Sequence, residues 1–327
     1  MENIAKKIAN IASVEAGMLR DTRLAKSVST RIWMTMIINK YYMLRIASML
    51  LQKTYRGYLS RLPSQKKLVH QRQFDVLIIL DACRYDFFEN TVWSYLDGKL
   101  MPVKSPASVT IDWLRRTWAN RRWDDIVYVS ASPMVNKRGL ISGFDARKHF
   151  RDIIEVWDQG WDERLSTVPP GSVNIATRLA LTKYRLRGQK LGQDYRMIIH
   201  YVQPHAPYIT FKKITELITK TSFAHDIADI ALRREGRLAG KIAIDYVILA
   251  LLKEHLRSTD KVNKALRMAY EENLRWVLRH VAELTTHLDA KIVITADHGE
   301  LLGEYGLYFH MTLPLPHLRT VPWFTVK

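Results

Sequence analysis

The sequence predicts an α/β protein built on a doubly wound, mostly parallel sheet that is flanked by helices. Short apolar runs rich in branched residues recur along the chain, as in strands that are buried on both faces. Helical patterns lie between these runs, which is the order of a parallel sheet with crossover helices. Two of the runs end in acidic residues, at Asp81 and Asp297, and open parallel sheets bind ligands at such strand ends.

Size and composition fit a large folded domain with an appendage. The 327 residues, 47% of them hydrophobic, exclude a disordered or fibrous protein. The formal net charge of +18 favours a phosphorylated substrate, an anionic membrane or nucleic acid as partner. No nucleic-acid-binding module accompanies the charge, so we do not expect a nucleic-acid partner. No pattern predicts an oligomeric state.

Residues 1–73 form a basic, helical segment ahead of the first predicted strand. They carry 14 Lys and Arg against 3 Asp and Glu, and Ile4, Ile8 and Ile11 recur at helical spacing. Two interpretations stay open: a basic amphipathic appendage that rests on an anionic membrane, or a helical appendage packed on the main domain with a solvated basic face. A linker at Pro63–Gln65 would separate this segment from the main domain of residues 74–327.

Localisation is predicted from three features of the sequence. The N-terminal region has no signal-peptide pattern, and no apolar run reaches the roughly 20 residues that a membrane-spanning helix needs. A single cysteine, Cys83, excludes an intramolecular disulfide and fits a reducing compartment. We therefore expect a cytoplasmic protein, with peripheral attachment to a membrane as the open alternative.

The main domain alternates predicted strands and helices. The predicted strands cover residues 74–80, 126–129, 197–202 and 292–295. The helical patterns between them cover residues 111–118, 171–186 and 241–288. This alternation is what predicts the parallel sheet.

Metal ligands are indicated at the ends of the first and the last of these strands. Asp81 ends the first strand, and Asp297-His298-Gly299-Glu300 follows the last. Carboxylate and imidazole together suit Zn²⁺ or Mn²⁺, whereas an all-oxygen site would suit Mg²⁺ or Ca²⁺. Because an isolated Asp at a strand end is usually a cap or turn former, the Asp-His-Gly-Glu run carries most of this prediction.

Three motifs resemble those of the alkaline phosphatase/sulfatase superfamily. The segment from Asp297 to His310 is similar to its C-terminal metal motif, and closest to the phosphoethanolamine-transferase and sulfatase-like branches. Leu-Asp81-Ala-Cys-Arg-Tyr-Asp86 resembles the first metal-binding strand of a group of archaeal sulfatase-like proteins, and Gln203-Pro-His-Ala-Pro-Tyr208 resembles the central His-x-Pro-Tyr motif. The motifs follow in the expected order, and residues 1–73 lie outside the resemblance.

The resemblance implies a metal-dependent enzyme that acts on phosphate or sulfate esters. One divalent ion, Zn²⁺ or Mn²⁺, is expected on Asp81, Thr110, Asp297 and His298. Thr110 directly precedes a helical pattern, as an N-cap would, and is the expected nucleophile because a metal would lower the pKa of its hydroxyl. The helix N-terminus would offer backbone N–H groups to an anionic substrate. Ser108 and Ser105 are the alternatives for the nucleophile.

Further site candidates follow from the same motifs. His205 and His310 are expected to contact substrate or a weakly held second ion, because Tyr201 occupies the position where two-metal members place an Asp. His317 competes with His310. Arg84 is a candidate for pairing with a substrate anion, and pairing with Asp86 or exposure to solvent are equal alternatives. His200 lies in a strand pattern and is interpreted as structural.

The expected reaction is in-line phosphoryl transfer by a phosphodiesterase, phosphatase or phospho-group transferase. Whether water or another hydroxyl accepts the group separates hydrolase from transferase. A sulfatase is the alternative, but Cys83 lies outside any Cys-x-Pro-x-Arg motif and is interpreted as a small buried thiol. A catalytically degenerate protein that binds a membrane or partner through its basic helices is the second alternative. The full set of acidic and histidine ligands argues against degeneracy.

Overall fold

The computed structural model describes residues 52–139, 143–210 and 258–327. Lys53–Lys327 form one compact unit, which is the unit described below. The helical pattern predicted for residues 1–51 lies outside the described residues, and the domain boundary at residue 73 stays a prediction. Among the described helices, none combines the length and the apolar character that crossing a bilayer requires.

A seven-stranded sheet forms the centre of this unit. Its strands are β1 (Val76–Leu80), β2 (Gly98–Lys104), β3 (Trp123–Ser130), β4 (Phe150–Glu155), β5 (Arg196–Tyr201), β6 (Ile292–Thr295) and β9 (Thr320–Val326). Their spatial order is β2-β9-β6-β1-β5-β3-β4. The five strands from β6 to β4 are parallel, β9 is antiparallel to β6, and β2 is antiparallel to β9. This mostly parallel sheet confirms the predicted fold class.

The three central strands are the most apolar ones. Every residue of β1, β5 and β6 is buried, because helices flank the sheet and both faces of these strands need apolar side chains. Leu80 pairs with Tyr201, and Ile79 pairs with Thr295. The carboxyl ends of β5, β1 and β6 therefore lie side by side at one edge of the sheet.

The described helices are α1 (Gln52–Arg61), α2 (Gln65–Gln71), α3 (Tyr85–Thr91), α4 (Thr110–Trp118), α5 (Val156–Gln159), α6 (Pro170–Leu186), α7 (Thr259–Thr285) and α8 (Pro316–Arg319). Two short strands, β7 (Leu301–Leu302) and β8 (Tyr308–Phe309), form a separate antiparallel pair. Helices α4, α6 and α7 occupy segments whose patterns predict helices. Residues 241–257 of the longest predicted helix lie outside the described residues.

Two strands and one connection differ from the sequence-based expectation. Strands β2 and β4 occupy the edges of the sheet, where a strand need not be apolar on both faces, and their mixed composition gives no buried-strand signal. Pro63–Gln65 is not a free linker. Ser64 caps α2 by accepting a hydrogen bond from the Lys67 backbone N–H, and Gln65 is fully buried.

Candidate metal centre

The chain turns sharply where β1 ends, and this turn positions Asp81. The Asp81 backbone N–H continues the sheet ladder by donating to the Tyr201 carbonyl, 3.1 Å away. Ala82 then adopts a left-handed conformation with φ +60°, which is uncommon for a residue with a side chain. Its N–H donates to Asp297 Oδ1 at 3.0 Å. The turn therefore links the end of β1 to the acidic residue that follows β6.

Four side chains from three parts of the chain meet beyond these strand ends, and we call them the metal-ligand cluster: Asp81, Thr110, Asp297 and His298. His298 Nε2 lies 3.2 Å from Thr110 Oγ1, 3.4 Å from Asp297 Oδ2 and 3.9 Å from Asp81 Oδ1. All four residues are buried. Tetrahedral zinc ligands at about 2.0–2.2 Å from the ion are roughly 3.3–3.6 Å apart, and the three separations from His298 Nε2, 3.2, 3.4 and 3.9 Å, lie in or close to that range.

The tautomer of His298 also fits metal binding. Its Nδ1 lies 2.9 Å from the Gly299 carbonyl oxygen, which can only accept a hydrogen bond. Nδ1 therefore carries the proton, and Nε2 presents its lone pair to the cluster. Burial lowers the pKa of His298, which keeps the imidazole neutral. A backbone carbonyl that fixes the ring in this way is typical of metal-binding histidines.

The electrostatics of the cluster favour a cation. Burial would raise the pKa of Asp297, but His298, His200 and the Ala82 N–H together hold it below its usual range. Asp297 is fully buried, and no described donor completes a hydrogen bond to its Oδ2. A buried carboxylate oxygen without a donor is costly unless a cation compensates it. The residues present therefore fit a divalent ion.

Thr110 differs in one detail from the expectation. It is the first residue of α4 and not its N-cap, because Val109 holds the N-cap position in an extended conformation. The Thr110 hydroxyl is therefore not used for capping and points to His298. Ser105, one alternative nucleophile, instead donates to the backbone carbonyls of Asp297 and Ala107, whereas the Thr110 hydroxyl contacts the ring nitrogen of a predicted metal ligand.

A second group of potential ligands lies beside the first, and we call it the histidine cluster: His205, Glu300 and His310. Their ligand atoms lie within 4.8 Å of one another. His205 Nδ1 donates to the Ala206 carbonyl at 2.7 Å, so its Nε2 presents a lone pair. His310 Nδ1 lies 3.1 Å from Glu300 Oε1. The His310 ring is centred 4.3 Å from that of His298, so the two clusters are adjacent.

Glu300 and Asn273 contribute more to the histidine cluster than the sequence indicates. Glu300 follows His298 by two residues and could be expected only to tie the loop together. Asn273, on α7, is fully buried, and its amide donates to the carbonyls of Pro204, His205 and Pro207 at 3.1–3.4 Å. No sequence pattern indicates this role for Asn273, because the loop that it binds lies 66–69 residues away in the sequence.

His200 is drawn to the centre as well. It lies inside β5, where the sequence indicates only a structural role. Its ligand atom lies within 4.8 Å of carboxylate oxygens of Asp81 and Asp297, and its Nδ1 is 2.9 Å from the Tyr128 hydroxyl. Burial raises the pKa of Tyr128 well above its usual value, so the phenol stays protonated. His200 therefore lies beside the two carboxylates of the metal-ligand cluster.

The structure places Arg84 and His317 next to the clusters. The buried Arg84 guanidinium donates to Asp86, Glu304 and the Glu300 carbonyl, and these carboxylates raise its pKa despite burial. His317 packs near Tyr305, with ring centres 6.1 Å apart, whereas His310 lies against His298. Substrate contact by Arg84 or His317 stays a prediction.

Gln65 joins the two halves of the metal-ligand cluster. Its amide nitrogen donates to Thr295 Oγ1 at 2.8 Å and to the Ala296 carbonyl at 2.6 Å, immediately before Asp297. Its amide oxygen accepts from Trp113 Nε1 at 2.8 Å, one turn after Thr110 on α4. One buried side chain thus connects the end of β6 to the helix that carries the hydroxyl. No motif or hydrophobic pattern in the sequence singles out Gln65.

Cys83 is buried and lies outside the metal-ligand cluster. Burial raises the pKa of its thiol well above the usual value, and its sulfur faces the Arg84 carbonyl at 3.8 Å. A thiol in these surroundings stays protonated and unreactive, in agreement with the interpretation of Cys83 as a small buried side chain.

Comparison with known proteins returns enzymes of phosphate and sulfate esters. No protein-family model matches the chain. A choline-sulfatase from Rhizobium meliloti (strain 1021) is 26% identical over 125 residues, which cover 35% of this chain and 23% of that protein's length. The chain thus matches less than a quarter of this relative. The match agrees with the sulfatase-like resemblance that the motifs carry.

Solved structures with a similar chain trace include a phosphoethanolamine transferase domain and a lipoteichoic acid synthase. The soluble domain of lipooligosaccharide phosphoethanolamine transferase A from Neisseria meningitidis has a TM-score of 0.42 at 14% identity, covering 76% of this chain and 75% of that one. A lipoteichoic acid synthase from Listeria monocytogenes has a TM-score of 0.43 at 10% identity, covering 76% and 64%.

Proposed function

We propose that this chain, with the motifs of the alkaline phosphatase/sulfatase superfamily, is a metal-dependent phosphoryl-transfer enzyme with Thr110 as its nucleophile. The observation that carries the proposal is the position of the Thr110 hydroxyl. It lies 3.2 Å from His298 Nε2, in a buried cluster that also holds two carboxylates. A hydroxyl among metal ligands at the first turn of a helix is equipped to attack an anionic ester.

The metal-ligand cluster would hold one divalent ion, Zn²⁺ or Mn²⁺, through two carboxylates, the His298 imidazole and the Thr110 hydroxyl. When bound, such an ion would lower the pKa of the hydroxyl and offset negative charge on the transferred group. Asp297 is fixed for this role by two backbone N–H donors to its Oδ1, those of Ala82 and His298. Its other oxygen is thereby directed to the centre.

The reaction proceeds in two displacements. The Thr110 hydroxyl would lose its proton to solvent when the ion lowers its pKa. Its Oγ1 then forms a bond to phosphorus while the bond from phosphorus to the leaving oxygen breaks, which gives a phosphothreonine. A water or an acceptor hydroxyl then attacks phosphorus from the same side as the departed group and releases Thr110. The first turn of a helix leaves backbone N–H groups without internal partners, and those at the start of α4 would bind the group being transferred.

The histidine cluster supports the charge that develops during transfer. His205 and His310 would either hold phosphoryl oxygens or bind a weak second ion, because their ligand atoms and that of Glu300 lie within 4.8 Å of one another. Glu300, 3.1 Å from His310 Nδ1, would orient that ring in both cases. A protonated histidine of this cluster would also supply the proton that the leaving oxygen takes up.

A sulfatase is the second candidate, favoured by the similarity to choline-sulfatase. In that case the same clusters would act on a sulfate ester. Two observations weigh against it: Cys83 is a buried thiol with a raised pKa, and it has no Cys-x-Pro-x-Arg context. The hydroxyl of Thr110 is the nucleophile that the geometry supports.

The test compares three aryl esters, a phosphodiester, a phosphomonoester and a sulfate, with Zn²⁺ or Mn²⁺ supplied. We expect metal-dependent cleavage of a phosphate ester and a loss of about a thousandfold or more in kcat for Thr110→Ala. Ser108→Ala, two residues earlier and also buried, is the matched control and should keep most of the activity.

Other outcomes of this assay have distinct meanings. Cleavage of the sulfate ester alone would favour the sulfatase. Full activity of Thr110→Ala would rule out Thr110 as nucleophile. If no ester is cleaved although Zn²⁺ binds, the enzyme requires a donor of its own or the site does not support catalysis.

A further inference from the structure

Helix α6 exposes a line of apolar side chains on its outer face. Ile175, Leu179 and Leu186 are 61%, 67% and 82% exposed. Together with the exposed Thr182 they recur at positions 175, 179, 182 and 186, which fall within an arc of about 60° on a helix of 3.6 residues per turn. We call these four residues the α6 stripe. It runs along the helix for roughly 16 Å.

The α6 stripe is not explained by folding. The opposite face of the helix packs into the core through its own buried residues, which include Val173, Thr177, Ala180 and Tyr184. A helix that packs on a sheet needs one apolar face, and the other is normally polar. The α6 stripe has Ile175 and Leu179 about one turn apart and Leu186 two turns later. Together they form an exposed apolar surface of the kind that marks a contact site.

Basic residues border the α6 stripe on both sides. Arg178 and Arg185 lie on one side, and Lys183 and Arg187 on the other, each about 60–120° from the centre of the stripe. Arg178 reaches Glu283, and Lys183 reaches Asp152. Arg185 and Arg187 are exposed. The helix contains no Asp or Glu, and Glu283 and Asp152 offset the charge of Arg178 and Lys183. This face is therefore apolar at its centre, and its positive charge is concentrated at Arg185 and Arg187 near the end of the helix.

We propose that the α6 stripe docks the protein on an anionic lipid bilayer. Aliphatic side chains would enter the boundary between headgroups and acyl chains, while the long basic side chains on both sides would reach anionic headgroups. A second copy of the chain is a poor occupant, because a symmetric contact through this face would bring its basic margins together. The convex, aliphatic face also offers no pocket or aromatic anchor for a protein partner.

This surface differs from the basic segment that the sequence indicates as a membrane contact. That segment lies in residues 1–73, whereas the α6 stripe belongs to the main unit and combines charge with exposed aliphatic area. Purely electrostatic attachment depends on charge alone and is screened by salt. Attachment through the α6 stripe requires its three aliphatic side chains.

The test uses the full chain in sedimentation with vesicles of phosphatidylcholine, alone or with added phosphatidylglycerol. We expect binding only to the vesicles that contain the anionic lipid. The variant Ile175→Ser/Leu179→Ser/Leu186→Ser should bind at least about tenfold more weakly. Met268→Ser, which removes an exposed apolar side chain on α7, away from both the α6 stripe and residues 1–73, should bind like the parent protein.

Two results would overturn the proposal: no binding of the parent chain to anionic vesicles, or undiminished binding of the triple variant. Undiminished binding would assign the attachment to basic residues elsewhere. Circular dichroism would verify that the triple variant is folded, as expected for exposed positions. Arg185→Glu/Arg187→Glu provides an independent variant, and it should also bind the anionic vesicles more weakly, whereas unchanged binding of this variant would count against the α6 stripe.

Discussion

At the scale of single residues, the proposed metal centre would depend on side chains that are not expected to bind an ion themselves. Gln65 is the clearest case, because its amide holds the end of β6 and the start of α4 in one arrangement. Neither Thr110 nor Asp297 contacts Gln65 directly. Gln65 would affect catalysis by holding Thr110 and Asp297 in position, because small displacements of reacting groups slow a reaction.

Replacing Gln65 by Leu should lower the stability by about 2–4 kcal/mol, because it leaves the buried Ala296 carbonyl and Trp113 N–H without partners. Denaturant unfolding would measure this loss. Zn²⁺ titration of the folded variant should show weaker binding, and kcat for the ester found above should fall more than KM rises. Gln71→Leu, on the exposed end of the same helix, is the control. Unchanged Zn²⁺ affinity in Gln65→Leu would show that Gln65 is only structural.

Glu304 makes the stability of the folded protein depend on pH in the acidic range. Burial would raise its pKa, but Arg84 at 2.7 Å and the Leu302 N–H at 2.6 Å hold it below the usual range. Since the folded pKa is lower than the unfolded value of about 4.3, Glu304 stabilises the protein above that value. This contribution disappears as pH falls through the folded pKa.

We therefore expect Glu304→Gln to reduce stability at neutral pH by about 1–3 kcal/mol and to flatten the loss of stability below pH ~4.3. Urea unfolding across this pH range would test it. Glu283→Gln is the control, because its ion pair with Arg178 is exposed and surface pairs contribute little. Parallel pH profiles of Glu304→Gln and the parent would contradict the expectation.

At the scale of elements, the loop after β6 is fixed by its contact with α8. Gly299 donates its N–H to the Leu318 carbonyl at 3.0 Å. A Cβ at position 299 would lie only 2.0 Å from the His317 carbonyl oxygen. The backbone of α8 thus approaches the metal loop too closely for any side chain, and this position is limited to glycine by space.

Gly299→Ala should destabilise the protein by about 1–3 kcal/mol, because backbone must move to admit the methyl group. The same movement would displace His298 and weaken Zn²⁺ binding. Thermal unfolding with and without Zn²⁺ measures both effects. Gly57→Ala in α1 is the matched control: no atom lies within 4 Å of its added Cβ, so stability should stay equal or rise by up to ~1 kcal/mol. Unchanged stability and Zn²⁺ binding in Gly299→Ala would contradict the close approach of the α8 backbone to Gly299.

The elements also show which parts of the centre a sequence can predict. Asp81, Asp297 and His298 were predictable because buried parallel strands give a clear apolar run and their carboxyl ends converge. Edge strands β2 and β4 were not predictable, because partly exposed strands lack the continuous apolar run that marks a buried strand. The positions of Gln65 and His200 beside the cluster were not predictable either, because their partners are distant in the sequence. The pairing of Glu300 with His310 was not predictable because it depends on the conformation of the loop that contains β7 and β8.

At the scale of the whole molecule, the proposed metal-ligand cluster would connect stability to ion binding. It brings two buried acidic residues to the centre of the sheet edge. An ion that binds only the folded state stabilises it by mass action, by about 2.7 kcal/mol at a hundredfold excess over Kd. The metal is therefore expected to act as a structural component of the fold as well as in chemistry.

Zn²⁺ or Mn²⁺ should raise the Tm by roughly 5–10 °C at that excess, and a chelator should reverse the rise. Differential scanning calorimetry would measure it. Asp297→Asn should abolish most of the shift, whereas Asp112→Asn, a partly exposed acidic residue of α4, should keep it. An equal shift in Asp297→Asn would place the ion elsewhere.

The position of β9 has a consequence for biosynthesis. Although β9 is formed by Thr320–Val326, it lies between β2 and β6 in the sheet. Ser105, on the segment that leads to Thr110, exchanges two hydrogen bonds with Arg319 just before β9. On the ribosome, β2 would therefore have no neighbouring strand, and β6 would keep an open edge, until these residues emerge. The contact between Ser105 and Arg319, on the segment that leads to Thr110, would form only then. A nascent chain would therefore expose strand edges and need protection from aggregation.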